Sequence, residues 1–125
     1  LHLAYWFIPS SFLLFALHYG GVNISTSNAL HGLTAGAMSS LILAMIARIS
    51  LGHSGRPLTP HWLMKYAFSL IILAGCIRLI SPYIQLYFHF NLHVLSAVLW
   101  ALAFGIFVVV YAPILTTPRP DGRPG

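Results

Sequence analysis

An all-α integral membrane bundle is the fold class this sequence predicts, and three observations carry the prediction. Hydrophobic residues make up 58% of the 125-residue chain and charged residues only 6%, whereas a water-soluble domain carries about a quarter charged residues. Four apolar segments, 3–20, 28–50, 62–81 and 88–112, are each long enough to cross a bilayer, which takes ~20 helical residues. The six Lys and Arg sit singly rather than in a patch. The pI near 9.9 therefore bears on orientation in a membrane and not on nucleic-acid binding. A membrane β-barrel is excluded, because its strands would be far shorter.

The first segment, 3–20, stops at Gly20 and Gly21 and leads into GVNISTS, 21–27. The second, 28–50, leads into LGHSGRPLTPH, 51–61, where Pro57 and Pro60 break the chain. The third, 62–81, is expected to end at Pro82, before YIQLYF, 83–88. The fourth, 88–112, leads to a polar tail, TTPRPDGRPG, 116–125. Arg48, Arg56 and Lys65 flank the middle connection, and Arg119 and Arg123 lie in the tail. The other two connections hold no Lys or Arg. The positive-inside rule then places the middle connection and the tail in the cytoplasm, and four spans place the N terminus there too. Trp62, Tyr66 and Tyr111 fall at the inner interface, and Tyr19, Tyr83 and Tyr87 at the outer one. The chain begins at Leu1 inside an apolar run, which predicts that residues 1–115 are the four-helix, C-terminal part of a longer multi-span protein. Its expected partners are the lipid bilayer and the remaining spans. The single cysteine, Cys76, builds neither a disulfide nor a cysteine metal site within the chain.

On this topology the unusual residues gather in one leaflet. His18 closes the first span, and His31 lies about one turn inside the second. Arg78 lies about one turn from the outer end of the third, and His89 and His93 begin the fourth. His53 and His61 belong to the opposite connection, ~30 Å away across the bilayer. Spaced i,i+4, His89 and His93 are expected on one helical face, continued by Ser96 and Trp100. His31, Ala35 and Ser39 form a similar stripe. Beside it, Gly32 and Gly36 make a GxxxG pair, which lets another helix or a flat cofactor approach closely.

An arginine inside a span costs roughly 2.5–3.5 kcal/mol at the helix centre and needs a partner. The one acid, Asp121, is expected on the other side, so Arg78 calls for a lipid phosphate, another part of the protein, or a cofactor carboxylate such as a haem propionate. Imidazoles from different helices near one plane suit haem or copper, and their spacing leaves zinc open as well. His31 and His93 are the first candidates for axial or copper ligands, with His89 and His18 in reserve and Arg78 as propionate partner. No carboxylate pair or Ser-His-Asp set is present for hydrolytic catalysis. Two rival classes remain: a metal-free transporter or channel segment using its histidines as a proton or substrate path, and a scaffold whose histidines cap at the interface.

HGLTAGAMSSLILAMIARISLGHSGRPL, 31–58, resembles the hallmark segment of the NnrS family. FGIFVVVYAPILTTPRPDGRPG, 104–125, resembles that family's C terminus, and RLISP, 78–82, fits between them. The resemblance implies a multi-pass protein of the bacterial inner membrane that contains haem and copper. It also implies a link to nitric oxide metabolism and resistance to nitrosative stress. Gly52, His53, Gly55 and Arg56 are carried over with His31 as members of the motif, without an assigned role. His53 either orders the cytoplasmic loop or marks a second site on that side.

Overall fold

A computed structural model of the chain describes residues 2–120, apart from the Leu86 side chain, and Gly122. Asp121 and Arg123, and with them the end of the expected tail, lie outside the described residues. The described residues form helices and no strand. Four helices make up the bundle: α1, His2–Tyr19; α2, Thr26–His53; α3, Met64–Ile84; and α4, Leu92–Thr116. The last three are long and apolar enough to cross a membrane, while α1 has 18 residues. The connections 20–25 and 85–91 lie at one end of the bundle and 54–63 at the other.

Glycines end the first two helices by the same device. After α1, Gly21 has φ 89°, and the Gly21 and Val22 amides donate to the His18 and Leu17 carbonyls at 3.1 and 3.0 Å. After α2, Gly55 has φ 67°, and the Gly55 and Arg56 amides donate to Gly52 and Leu51 at 3.3 and 3.1 Å. Both are Schellman caps, whose left-handed residue glycine adopts without a Cβ penalty.

Several boundaries differ from expectation: α2 runs on to His53 rather than 50 and α4 to Thr116 rather than 112, and two further differences have a visible cause. Pro82 does not stop the third segment but lies inside α3. Its missing N–H leaves the Arg78 carbonyl without a helical donor, and Ser81 Oγ donates to that carbonyl instead, at 3.1 Å. The fourth helix begins at Leu92 rather than at 88, because Asn91 caps it. Asn91 Oδ1 accepts from the His93 and Val94 amides at 2.9 and 3.4 Å, satisfying donors that a helix start leaves orphaned. Gln85 spans the connection before it, donating to the Phe90 carbonyl and accepting from the Leu92 amide, both at 2.9 Å.

The second helix is not α-helical throughout. Between α-helical Thr26–His31 and Ser39–His53 runs a π-helical stretch, Gly32–Met38. The Ser39 amide donates to the Thr34 carbonyl, five residues back. Such wide turns are rare and cluster at functional sites.

The core of the bundle joins the second half of α2 to α3 and α4 through Leu43, Ala47, Leu51, Met64, Ile71 and Tyr111. The first helix docks elsewhere, on the π-helical stretch. The glycines expected to admit a helix or a flat cofactor admit helices. A Cβ at Gly32 would meet Ser11 and Leu79, and one at Gly36 would meet the Phe7 ring. Across from them, a Cβ at Gly75 would lie 2.9 Å from Gly36 Cα. Backbone therefore touches backbone, with Phe7 closing the seam, so a cofactor face does not reach His31 across Gly32.

Candidate functional site

His31 ends the first α-helical turns of α2, where the π-helical stretch begins. Asn28, three residues earlier, fixes that segment against α3: its Nδ2 donates to the Leu79 carbonyl at 3.0 Å and to the Tyr83 hydroxyl at 3.3 Å. His31 Nδ1 lies 2.6 Å from the Ser27 carbonyl, which only accepts, so the ring proton is assigned to Nδ1. Nε2 is then an acceptor and receives Nη2–H of Arg78 at 2.9 Å. Arg78 has found a partner, but not the anion the sequence called for. No carboxylate pairs with it among the described residues, and one guanidinium N–H out of five is engaged with His31.

These two side chains face an open groove of about 530 Å³, whose other walls include Ala35, His93, Ser96 and Trp100. His93 is half-buried in the first turn of α4, and no hydrogen bond engages its imidazole among the described residues. Trp100 Nε1 donates to Ser39 Oγ at 2.9 Å, and Ser39 Oγ donates to the Thr34 carbonyl, also at 2.9 Å. Ser96 Oγ donates to the Ala74 carbonyl at 2.8 Å. The groove therefore has a floor tied to three helices, and it brings together His31, Arg78 and His93 from α2, α3 and α4.

The reserve pair stands apart. His18 Nδ1 donates to the Ile24 carbonyl at 2.6 Å, and its ring meets Tyr19 edge-on at 5.1 Å, so it ties the turn after α1. His89 is exposed in the connection before α4. The expected helical face shared by His89 and His93 does not form, because the Asn91 cap lies between them. Among the described residues, no three His, Cys, Asp or Glu side chains gather as a metal site. Toward a haem, His93 would offer an unengaged imidazole and Arg78 guanidinium donors for a propionate, whereas both ring nitrogens of His31 are already hydrogen-bonded; a copper ion held by His31 and His93 would need a third donor.

The remaining motif residues lie at the opposite end. His53 is the exposed last residue of α2. Gly55 makes the Schellman turn, to which Gly52 contributes its carbonyl. Arg56 reaches across to α4, donating to the Ile114 carbonyl at 3.0 Å and to Thr117 Oγ1 at 2.8 Å. It satisfies one helix-end carbonyl and sets a cation at the negative end of α4.

The sequence did not reveal the π-helical stretch, the bracing by Asn28, or the Arg78–His31 hydrogen bond. A buried asparagine one turn before His31, in an otherwise apolar run, was the available signal for the second of these. Of the serines at the span centres, Ser39, Ser69 and Ser96 donate to backbone carbonyls, while the buried Ser40 hydroxyl has no hydrogen-bond partner among the described residues.

No curated protein and no solved structure matches the chain. A family model described as NnrS protein matches residues 1–119, which takes in all four helices, the groove residues and the Gly52–Arg56 motif. On that match the chain belongs to the NnrS family.

Proposed function

We propose that this chain is the part of a haem- and copper-containing membrane protein that contributes a haem-facing groove, in a protein serving nitric oxide metabolism or resistance to nitrosative stress. The observation that carries the reading is the meeting of His31, Arg78 and His93 from three helices at one groove. In it, His93 offers an unengaged imidazole. Arg78 would offer guanidinium donors for a propionate, and His31 Nε2, which accepts from Arg78 here, would be a second ligand atom only if that hydrogen bond were given up. A bound haem would supply an iron centre that takes nitric oxide. A copper site would draw its missing donor from outside the described residues. The same reading puts four spans in the bacterial inner membrane, with both ends of this chain in the cytoplasm and the groove toward the outer leaflet.

The test is the absorption spectrum of the detergent-purified full-length protein beside its His31→Ala and His93→Ala variants. A Soret band lost or shifted in either variant, with the helical circular dichroism retained, is the expected result. Three matching spectra would remove these histidines from haem ligation. Accessibility of cysteines placed at Asn23 and at Thr59 to an impermeant thiol reagent, in a Cys76→Ser background, checks the topology. Asn23 should react from outside the cell and Thr59 should not.

A further inference from the structure

The two histidines of the groove are held differently, and the difference separates their roles. His31 has both ring nitrogens engaged. Its Nδ1–H donates to the Ser27 carbonyl at 2.6 Å, with the Ser27 hydroxyl oxygen at 3.4 Å, and its Nε2 accepts Nη2–H of Arg78 at 2.9 Å. The first bond alone would suit a metal ligand, since ligating imidazoles donate their other N–H to such an acceptor. The second decides against it, because a lone pair that accepts from a guanidinium is not free for a metal. His93 lines the same groove and has no hydrogen bond on its imidazole among the described residues.

What the His31 ring does hold is Arg78. A long side chain must normally be ordered before it can grip a ligand, and that ordering weakens binding. Here the ordering is built in. The Ser27 carbonyl fixes the imidazole, and the imidazole fixes one edge of the guanidinium. Asn28 ties the same turn of α2 to the Leu79 carbonyl, next to Arg78, at 3.0 Å. The remaining guanidinium N–H donors make no hydrogen bond and meet no carboxylate among the described residues, on a side chain that lines the groove. A cation held in this way within an apolar span calls for an anion, and its planar fork takes a carboxylate bidentately.

We propose that His31 is a positioning residue and not a haem ligand: it aims Arg78 at a propionate, and His93 is the one axial ligand that the groove supplies. The proposal rests on the haem-facing reading of the groove and assigns its histidines unequal parts. The His31 imidazole acts through the guanidinium, so its effect reaches only a charged carboxylate.

The experiment titrates the full-length protein, purified in detergent without haem, with hemin and separately with hemin dimethyl ester, whose propionates are uncharged. Soret absorption reports both the position of the band and the affinity, and circular dichroism confirms folding. His93→Ala should lose or shift the band with both porphyrins. His31→Ala should keep the wild-type band position and bind hemin about two- to tenfold more weakly, as expected for freeing one long side chain. It should bind the dimethyl ester as the wild type does. His31→Gln, whose amide oxygen can accept from Arg78 in place of Nε2, should recover hemin affinity, and Arg78→Gln should weaken hemin alone. A lost or shifted band in His31→Gln, hemin affinity unchanged in His31→Ala, or equal weakening of both porphyrins would each overturn the proposal while His93→Ala still shows a haem-facing groove. If His93→Ala and Arg78→Gln also match the wild type with both porphyrins, the groove does not face haem and the proposal falls with that reading.

Discussion

Replacing Gly75 with alanine tests the contact on which the upper half of the bundle rests. The added methyl would lie 2.8 Å from Phe7 Cζ and 2.9 Å from Gly36 Cα, both closer than carbon atoms pack. The phenyl ring can turn aside, but a backbone Cα inside a buried helix cannot, so α3 and the π-helical stretch must separate. Forcing one methylene-sized group into a packed interior costs typically ~1–3 kcal/mol. Alanine recovers ~1 kcal/mol over glycine in helix propensity, which leaves a net loss of up to about 2 kcal/mol, toward the upper end because the obstacle is backbone. Gly105 provides the control, since a Cβ there meets nothing within 4 Å. Gly105→Ala should be neutral or slightly stabilising. Equilibrium unfolding of the full-length protein in mixed micelles, followed by circular dichroism, measures both variants. If Gly75→Ala unfolds at or above the wild-type midpoint, the glycine seam does not hold these helices together.

Two further outcomes follow from the caps. Arg56→Ala removes two charge-assisted hydrogen bonds at a half-exposed site, so a loss of about 1 kcal/mol is expected. The C-terminal turns of α4 should then exchange their amides faster by hydrogen–deuterium mass spectrometry, and Arg56→Lys should restore only part of the protection. Asn91→Ala removes the N-cap of α4 at a cost of ~1 kcal/mol. It should raise exchange at Leu92–Leu95 while leaving α3 unchanged, and equal exchange in variant and wild type would show that Gln85 alone holds the start of the helix.

The helices were legible because apolar run length and glycine punctuation are local properties. Gly21 and Gly55 mark the turns after α1 and α2, and the single cations mark one end of the bundle. The gathering of His31, Arg78 and His93 could be read once the up-and-down order of the segments was known. What escaped depends on partners distant in sequence. Pro82 reads as a stop unless Ser81 is known to serve the Arg78 carbonyl. His89 and His93 read as one helical face unless Asn91 is seen to start the helix between them. The GxxxG pair fitted helix packing or a cofactor equally, and only the positions of Phe7, Ser11 and Gly75 decide for packing. Arg78 was expected to seek an anion, and no spacing rule could show that a histidine with its proton on the far nitrogen would take it.

The π-helical stretch makes α2 a single span with two independent settings. Each residue of an α-helix turns the chain by about 100°, so a rigid span must compromise between the faces its two halves need. Here the wide turns between Gly32 and Met38 act as a phase adjuster. Above them, Asn28 and His31 address α3; below them, Leu43, Ala47 and Leu51 address α3 and α4 together. One residue more or fewer in that stretch would swing His31 out of reach of Arg78 while leaving the lower core as it is. The spacing between the two halves is therefore as much a determinant of the groove as the histidine itself.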